Sequence, residues 1–211
     1  MKKVIIPAVI AKSQKELDGI FSKIKDSACL LQLDIMDSKF VPNSSLDFDF
    51  KLPQKKYKFE AHLMVEYPEK WVDENWEKVD IIIAHFESVK NPGKIIESVR
   101  KKEKKVAFAL NPETDVEQIK KYLDDIDQVL IMTVHPGFYG SKFLPKTLNK
   151  VRWLRELRPD LDIEVDGGIK PGTIEEVSKA GANLFVSGSF IINSADIKES
   201  IKILENKIKA D

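Results

Sequence analysis

The sequence predicts an α/β protein in which eight parallel strands close into a (β/α)8 barrel. Eight short apolar runs follow one another along the chain, and most segments between them carry helix signals. The length of 211 residues is near the lower limit for eight such units. An open, doubly wound sheet is the structural alternative, because it uses the same alternation of strands and helices.

The predicted strands are rich in Val, Ile and Leu, as is typical of parallel strands buried on both faces. They cover Val4–Val9, Leu30–Ile35, Tyr57–Leu63, Asp80–His85, Lys105–Leu110, Gln128–Thr133, Asp162–Val165 and Asn183–Ser187.

Helix signals lie between most of these strands. Ser13 and Glu16 have capping-box spacing ahead of an apolar stripe, and Thr114 and Glu117 repeat the pattern. Pro68 suits the first position of a helix. Apolar faces predict two more helices, around Leu148–Leu154 and Ile201–Ile208.

One segment, Lys39–Gln54, lacks a helix signal and is predicted to be a long loop. We find no linker, low-complexity tract or repeat elsewhere. We therefore expect one barrel domain over residues 1–211.

Composition excludes several function classes. Lys and Arg together number 34, as do Asp and Glu, and this zero net charge argues against nucleic-acid or membrane-surface binding. No run approaches the roughly 18 apolar residues of a membrane span, and Met1–Pro7 is not a convincing signal peptide. Cys29 is the single cysteine, which rules out an intrachain disulfide and fits a cytoplasmic protein. Because Cys29 falls in an apolar run, we expect a buried thiol.

Two aspartates, Asp34 and Asp166, end or nearly end predicted strands that are far apart in sequence. The carboxyl ends of parallel strands are where such proteins bind ligands. Two converging carboxylates can remove a proton from one face of a substrate and return it on the other. Gln32 lies on the same side of its strand as Asp34, and His62 lies near the end of the third strand. With both aspartates they would make a mixed oxygen and nitrogen site for a divalent metal. From the residues alone, a hydrogen-bonded core histidine is the preferred interpretation of His62.

Glycines follow the last three predicted strands. Gly137 and Gly140, then Gly167 and Gly168, then Gly188 with Ser189, lie in loops where barrels commonly bind phosphate. Glycine lets the backbone approach a ligand and point its N–H groups at an anion. A single glycine after a strand is usually only a turn, but three such loops together indicate a phosphate site.

Motifs over nearly the whole chain resemble the ribulose-phosphate 3-epimerase family. They are Leu33-Asp34-Ile35-Met36-Asp37, Phe40-Val41-Pro42-Asn43, Ala61-His62-Leu63-Met64-Val65, His85-Phe86-Glu87, Leu110-Asn111-Pro112-Glu113-Thr114, Met132-Thr133-Val134-His135-Pro136-Gly137-Phe138, Glu164-Val165-Asp166-Gly167-Gly168 and Val186-Ser187-Gly188-Ser189. The resemblance implies a TIM barrel of the ribulose-phosphate-binding type.

The resemblance also implies an activity and a site. Members invert C3 to interconvert ribulose 5-phosphate and xylulose 5-phosphate, a step in the pentose phosphate pathway. Asp34 and Asp166 would be the acid–base pair and also metal ligands, and His62 would be a third ligand to one divalent ion: Zn, Fe, Mn, Co or Mg. The pocket would be lined by Ala8, Met36, Met64 and Met132, and Ser141 would join the glycines around the phosphate.

The chain departs from the family's usual pattern near this site. Gln32 stands where the family usually has a histidine ligand; its amide is a poor ligand for zinc or iron, but its oxygen can bind a hard cation. Ala8 replaces a serine and Lys39 a histidine. Tyr139-Gly140-Ser141 replaces Gly-Gly-Gln, and the bulky Tyr139 would narrow the phosphate loop or cover the substrate.

The sequence leaves three hypotheses for the function open. The first is a metal-dependent pentulose-phosphate 3-epimerase, and the second is a 3-epimerase of a ketohexose 6-phosphate. The third is a weakly active barrel that binds a phosphosugar, which Gln32 and Ala8 favour. The expected partner is a small ketose phosphate, and self-association into a homo-oligomer is left open. His135 lies at the end of the sixth predicted strand, where it could compensate for the departures near the site, but it is interpreted as a polar residue of the barrel rim.

Overall fold

A closed barrel of eight parallel strands forms the centre of the structure, which is a computed structural model that describes residues 1–53, 56–138 and 140–209. The strands are β1 (Val4–Val9), β2 (Leu30–Asp37), β3 (Ser44–Ser45), β4 (Lys58–Met64), β5 (Ile81–His85), β6 (Lys105–Leu110), β7 (Gln128–Met132), β8 (Asp162–Asp166) and β9 (Leu184–Ser187). The short β3 pairs antiparallel with the end of β2 and stands outside the barrel.

Strand pairing closes the barrel between the first strand and its two neighbours. The sheet order is β1-β9-β8-β7-β6-β5-β4-β2, and β1 then pairs with β2. Four residues of β1 pair in register with β9, whereas only Ala8 and Val9 pair with β2. Closure rules out the open, doubly wound sheet, and the eight predicted strands are confirmed to within one or two residues at their ends.

Helices cover the outside of the barrel. They are α1 (Gln14–Ile24), α2 (Pro68–Asn75), α3 (Pro92–Lys101), α4 (Leu148–Leu157), α5 (Ile174–Lys179), α6 (Ser189–Ile192) and α7 (Ile197–Ile208), with 3-10 helices at Trp76–Lys78, Val116–Tyr122 and Pro145–Thr147. Ser13 caps α1 by accepting a hydrogen bond from the backbone N–H of Glu16, and Pro68 begins α2, as predicted. Among the described residues, no helix combines the length and apolar character needed to cross a membrane.

Two local predictions are wrong. The segment after Thr114 is a 3-10 helix, and its cap is Asp115, whose carboxylate accepts from the Glu117 N–H. An aspartate competes well for a cap position, so it displaces the threonine beside it. Cys29 is exposed, because it precedes β2 rather than lying within it.

The predicted loop from Lys39 contains the short strand β3 but no helix, and Gln54 at its end lies outside the described residues.

The alternation of side chains along each strand separates two layers of core. Leu31, Leu33 and Ile35 of β2 pack outward under the helices, in one large apolar cluster. The alternate residues point into the barrel, where Ile83, Ala107 and neighbours fill one side. Ile6, Ala8, Leu184 and Val186 form a second apolar cluster at β1 and β9. The inward side chains of β2, β4 and β8 are largely polar, and they carry the site.

Candidate active site

Four polar side chains meet inside the barrel near the carboxyl ends of β2, β4 and β8. Gln32 and Asp34 share the inward face of β2, where Asp34 is in register with His62 of β4. Asp166 is the last residue of β8. Gln32 and His62 are fully buried, Asp34 is nearly so, and the Asp166 side chain is 15% exposed.

Gln32 lies at the middle of this group. Its Nε2 donates hydrogen bonds of 2.8 Å to Asp34 Oδ1 and of 2.8 Å to Asp166 Oδ2. The same nitrogen is 3.3 Å from His62 Nδ1. His62 Nδ1 is in turn 3.3 Å from Asp34 Oδ1 and 3.4 Å from Asp166 Oδ2. The amide therefore joins the two carboxylates that sequence reasoning paired.

The donor set fits a divalent cation. One oxygen from each of Asp34 and Asp166 and a ring nitrogen of His62 all lie within 4.8 Å of one another. Two carboxylates and an imidazole suit borderline and hard divalent ions. Gln32 Oε1 is buried and, among the described residues, has no hydrogen-bond partner. A rotation of the amide would turn this oxygen toward the same point, so the fourth donor is available.

Burial and charge shift the proton affinities of the group. Burial lowers the pKa of His62, but hydrogen bonds and charge from Asp166 and Asp34 outweigh it and raise that pKa to about 9. Burial also raises the pKa of Asp34, against the opposing hydrogen bonds from His62 and Gln32. The cluster therefore retains a proton at neutral pH when no cation neutralises it.

A second histidine lies behind His62. His62 Nε2 is 2.9 Å from Nε2 of His85, the last residue of β5, and both rings are fully buried. His85 Nδ1 is 3.2 Å from Glu87 Oε2. Burial lowers the pKa of His85 to about 4, so the ring is neutral beside His62. Both residues belong to the motif His85-Phe86-Glu87 that resembles the family, but neither was predicted to belong to the site.

Two glutamates lie in the barrel interior. Glu60 and Glu164 stand two positions before His62 and Asp166 on the same inward faces, and both are fully buried. Gln128 Nε2 donates a hydrogen bond of 2.8 Å to Glu164 Oε2, and the carboxyl group of Glu60 lies beside both of these side chains. Burial raises the pKa of Glu60 to about 8 and that of Glu164 well above its usual range. Sequence reasoning missed both, although a charged residue inside an apolar strand was the available signal.

A cavity of about 300 Å³ opens above the carboxylates at this end of the barrel. Its lining includes Asp34, Asp166 and all the residues predicted for the pocket and the phosphate, namely Ala8, Met36, Met64, Met132, Gly137, Gly140, Ser141, Gly167, Gly168, Gly188 and Ser189. Gln32 and His62 lie beneath this lining. The predicted residues therefore lie in two layers: one lines the cavity, and the other, Gln32 and His62, lies below it.

Gly167 shows why a glycine is required in the loop after β8. Its φ is +118°, and an added Cβ would lie 2.5 Å from Cγ2 of Val134 in the loop after β7. Thr133 connects the same two loops, because its hydroxyl donates a hydrogen bond of 2.6 Å to the carbonyl oxygen of Gly167. Close backbone packing therefore holds two of the three glycine loops against each other.

Lys170 and Phe138 are among the lining residues that were not predicted. Lys170 is exposed at the cavity mouth and brings a positive charge to the glycine loops. Phe138, 54% exposed, adds an aromatic ring. The described lining does not include His135, which is exposed and 3.4 Å from Glu113, and Tyr139 lies outside the described residues.

Comparisons with known proteins agree with this architecture. The sequence model of the ribulose-phosphate 3 epimerase family matches residues 2–192. A ribulose-phosphate 3-epimerase of Eremothecium gossypii is 35% identical over 225 residues, covering 99% of this chain and 94% of that protein. A ribulose-phosphate 3-epimerase of Methanocaldococcus jannaschii is 40% identical over 179 residues, covering 82% of this chain and 76% of that protein. The cytoplasmic isoform of the ribulose-phosphate 3-epimerase of Oryza sativa is 37% identical over 187 residues, covering 85% of this chain and 82% of that protein.

Solved structures support the fold. A 3-hexulose-6-phosphate synthase from Salmonella typhimurium superposes with a TM-score of 0.68 at 13% identity, covering 98% of both chains. An orotidine 5'-phosphate decarboxylase from Pyrococcus horikoshii also gives 0.68, at 14% identity, covering 98% of this chain and 100% of that one. At these identities the likeness shows the barrel alone. The match to the family model and the full-length relatives go further, and by them this chain belongs to the ribulose-phosphate 3-epimerase family.

Proposed function

We propose that this protein is a ketose-phosphate 3-epimerase that interconverts D-ribulose 5-phosphate and D-xylulose 5-phosphate. The observation that carries the proposal is the pair Asp34 and Asp166, whose oxygens lie within 4.8 Å of each other at the base of one cavity. A small substrate in that cavity would contact both carboxyl groups.

The two carboxyl groups would divide the proton transfers. One aspartate, ionised, takes the proton from C3 of the ketose, and the other, protonated, delivers a proton to the opposite face. This leaves C3 inverted and the protonation states of the pair exchanged. Met36, Met64 and Met132 give the cavity an apolar wall that keeps water from the reacting carbon.

Asp34, His62 and Asp166 would hold a divalent cation, with Gln32 Oε1 as a further donor once the amide rotates. When bound, the ion supplies positive charge beside the C2 and C3 oxygens, where negative charge develops as the proton leaves. Because the set includes one imidazole and up to three oxygens, magnesium or manganese suits it better than zinc or iron.

The phosphate of the substrate would bind at the other end of the cavity. Backbone N–H groups near Gly140, Gly167, Gly168, Gly188 and Ser189 would contact its oxygens, and Lys170 would add charge. Crystals soaked in phosphate should show the anion at these loops. Density confined to surface lysines elsewhere would contradict the assignment.

The central test is epimerisation of D-ribulose 5-phosphate by protein of measured metal content, followed by a coupled assay for xylulose 5-phosphate. Asp34→Asn and Asp166→Asn should each lower turnover by about 10²- to 10⁴-fold, because an amide cannot exchange the proton. Asp160→Asn, at an exposed aspartate, is the matched control. Substrate left unchanged by metal-loaded wild type, or full turnover in both site variants, would overturn the proposal.

A second candidate, a phosphosugar-binding barrel without catalysis, is favoured by one observation. Gln32 hydrogen-bonds both carboxylates at once, so the pair is held together without an ion. Tight phosphosugar binding with no turnover in wild type and in Gln32→His would select this candidate. Turnover of a ketohexose 6-phosphate in preference to a pentulose phosphate would instead change only the substrate assignment.

We further propose that the chain functions as one barrel domain in the cytoplasm. The relative from Oryza sativa carries that location in its name, and the single cysteine fits a reducing compartment. Whether copies of the chain associate is answered by sedimentation of the purified protein.

A further inference from the structure

A chain of polar contacts runs from the candidate metal site to the turn that follows β5. It begins at His62, passes to His85 and ends at Glu87, through separations of 2.9 Å and 3.2 Å. Glu87 is itself fixed, since its Oε1 accepts from the backbone N–H of Asn111 at 2.8 Å and from the hydroxyl of Thr114. Neither His85 nor Glu87 lines the cavity that the proposed reaction uses.

The contacts allow one arrangement of hydrogens. Two ring nitrogens at 2.9 Å need one hydrogen between them, because two lone pairs or two N–H groups would repel. Glu87 is held as an acceptor by Asn111 and Thr114, so His85 donates from Nδ1 to Glu87 Oε2, and a ring with a single hydrogen carries it there. The Nε2 of His85 is then an acceptor, and the hydrogen between the rings belongs to Nε2 of His62.

This arrangement determines which atom of His62 faces the carboxylates as a ligand. With Nε2 of His62 donating to His85, the Nδ1 atom carries the lone pair that a cation needs. Metal-bound histidines usually donate their second N–H to a carboxylate or a carbonyl. Here a second histidine stands between the ligand and the carboxylate.

From these contacts we infer that His85 and Glu87 are positioning residues, which fix the ring and the tautomer of His62 so that a divalent cation binds through Nδ1. The inference rests on the proposed metal site, but it concerns residues outside that site. It assigns a function to a buried histidine that the proton transfers do not use.

Nitrogen-15 NMR of the histidine rings tests the tautomers directly, because the chain has only three histidines. In zinc-loaded protein, His62 should carry its hydrogen on Nε2 and His85 on Nδ1, with the exposed His135 as an internal reference. A hydrogen on Nδ1 of His62, with the metal on Nε2, would overturn the inference.

Metal affinity provides the second readout, measured by chelator competition on folded protein. Glu87→Gln keeps the shape but lets an amide N–H face His85, so zinc should bind about 10- to 100-fold more weakly. Glu113→Gln removes the carboxylate beside the exposed His135 and should leave affinity unchanged. His85→Gln, whose oxygen can accept from His62, should retain more affinity than His85→Leu.

The outcomes separate the two proposals. Zinc binding by wild type that is equal in Glu87→Gln, His85→Leu and Glu113→Gln would overturn the positioning role and leave the metal site standing. No zinc binding by wild type would overturn both. Thermal unfolding of each variant shows whether a loss of affinity reflects a loss of fold.

Discussion

Replacing Glu60 with glutamine should make the metal-free protein less sensitive to pH. Glu60 is fully buried in the barrel interior, and burial raises its pKa to about 8 from the usual 4.5. A carboxyl group whose pKa is raised by folding keeps its proton in the folded state after the unfolded chain has lost it. Its contribution to stability is therefore complete below pH 4.5 and is lost as the pH rises through about 8.

The size of the effect follows from the width of that window. Between pH 5 and pH 7 the unfolded chain has released this proton and the folded protein retains it, so each pH unit lowers stability by about 1.4 kcal/mol. Two units give nearly 3 kcal/mol, and allowance for the coupling of Glu60 to Glu164 leaves about 1 to 3 kcal/mol. Above about pH 7 the stability also falls because of His62, whose pKa is raised from 6.5 to about 9 in the folded protein.

Urea unfolding at pH 5, 6 and 7 measures this difference. The free energy of unfolding of wild type should fall more steeply with pH than that of Glu60→Gln, whose amide fills the same space and does not titrate. Glu77→Gln, at an exposed glutamate, should follow wild type. Equal slopes for wild type and Glu60→Gln would refute the reasoning that burial holds a proton on Glu60.

Three other substitutions and one control have defined outcomes. Gln32→His should raise zinc affinity in chelator competition, because an imidazole replaces a weak amide ligand; unchanged affinity would exclude position 32 from the metal site. Gly188→Asp should abolish phosphosugar binding in calorimetry, by bulk and negative charge at the glycine loops, while circular dichroism shows a retained fold. Gly167→Ala should lower the free energy of unfolding by about 2 to 6 kcal/mol, from a strained φ and a 2.5 Å contact with Val134. A Cβ added at Gly172 would meet open space, so the free energy of unfolding of Gly172→Ala should stay within about 1 kcal/mol of wild type in the same urea experiment.

The barrel could be predicted because its strands have unambiguous patterns. Runs such as β5 and β7 are buried on both faces and are bounded by helix signals, so composition locates them. The helix cap at Asp115 could not be chosen over Thr114, because both residues are good caps and tertiary contacts decide between them. Cys29 was misassigned because an apolar neighbourhood does not reveal the residue at which a strand begins.

The candidate site was predictable where chemistry and strand position coincide, as at Asp34 and Asp166. The hydrogen bonds of Gln32 to both aspartates were not predictable, since they depend on the rotamer of one side chain in a closed interior. The contact of His62 with His85 likewise requires the register of β4 against β5. Spacing in sequence carries no information about either contact.

The way the barrel closes has a consequence for synthesis of the chain. β1 is made first, yet its neighbour β9 spans Leu184–Ser187 near the other end of the sequence. Until β9 is available, β1 and β8 both present unpaired strand edges, which are sites of intermolecular association. We therefore expect fragments that end before Leu184 to aggregate, whereas those that include α7 remain dispersed. Light scattering of a truncation series measures this difference. Dispersed fragments that lack β9 would contradict the expectation.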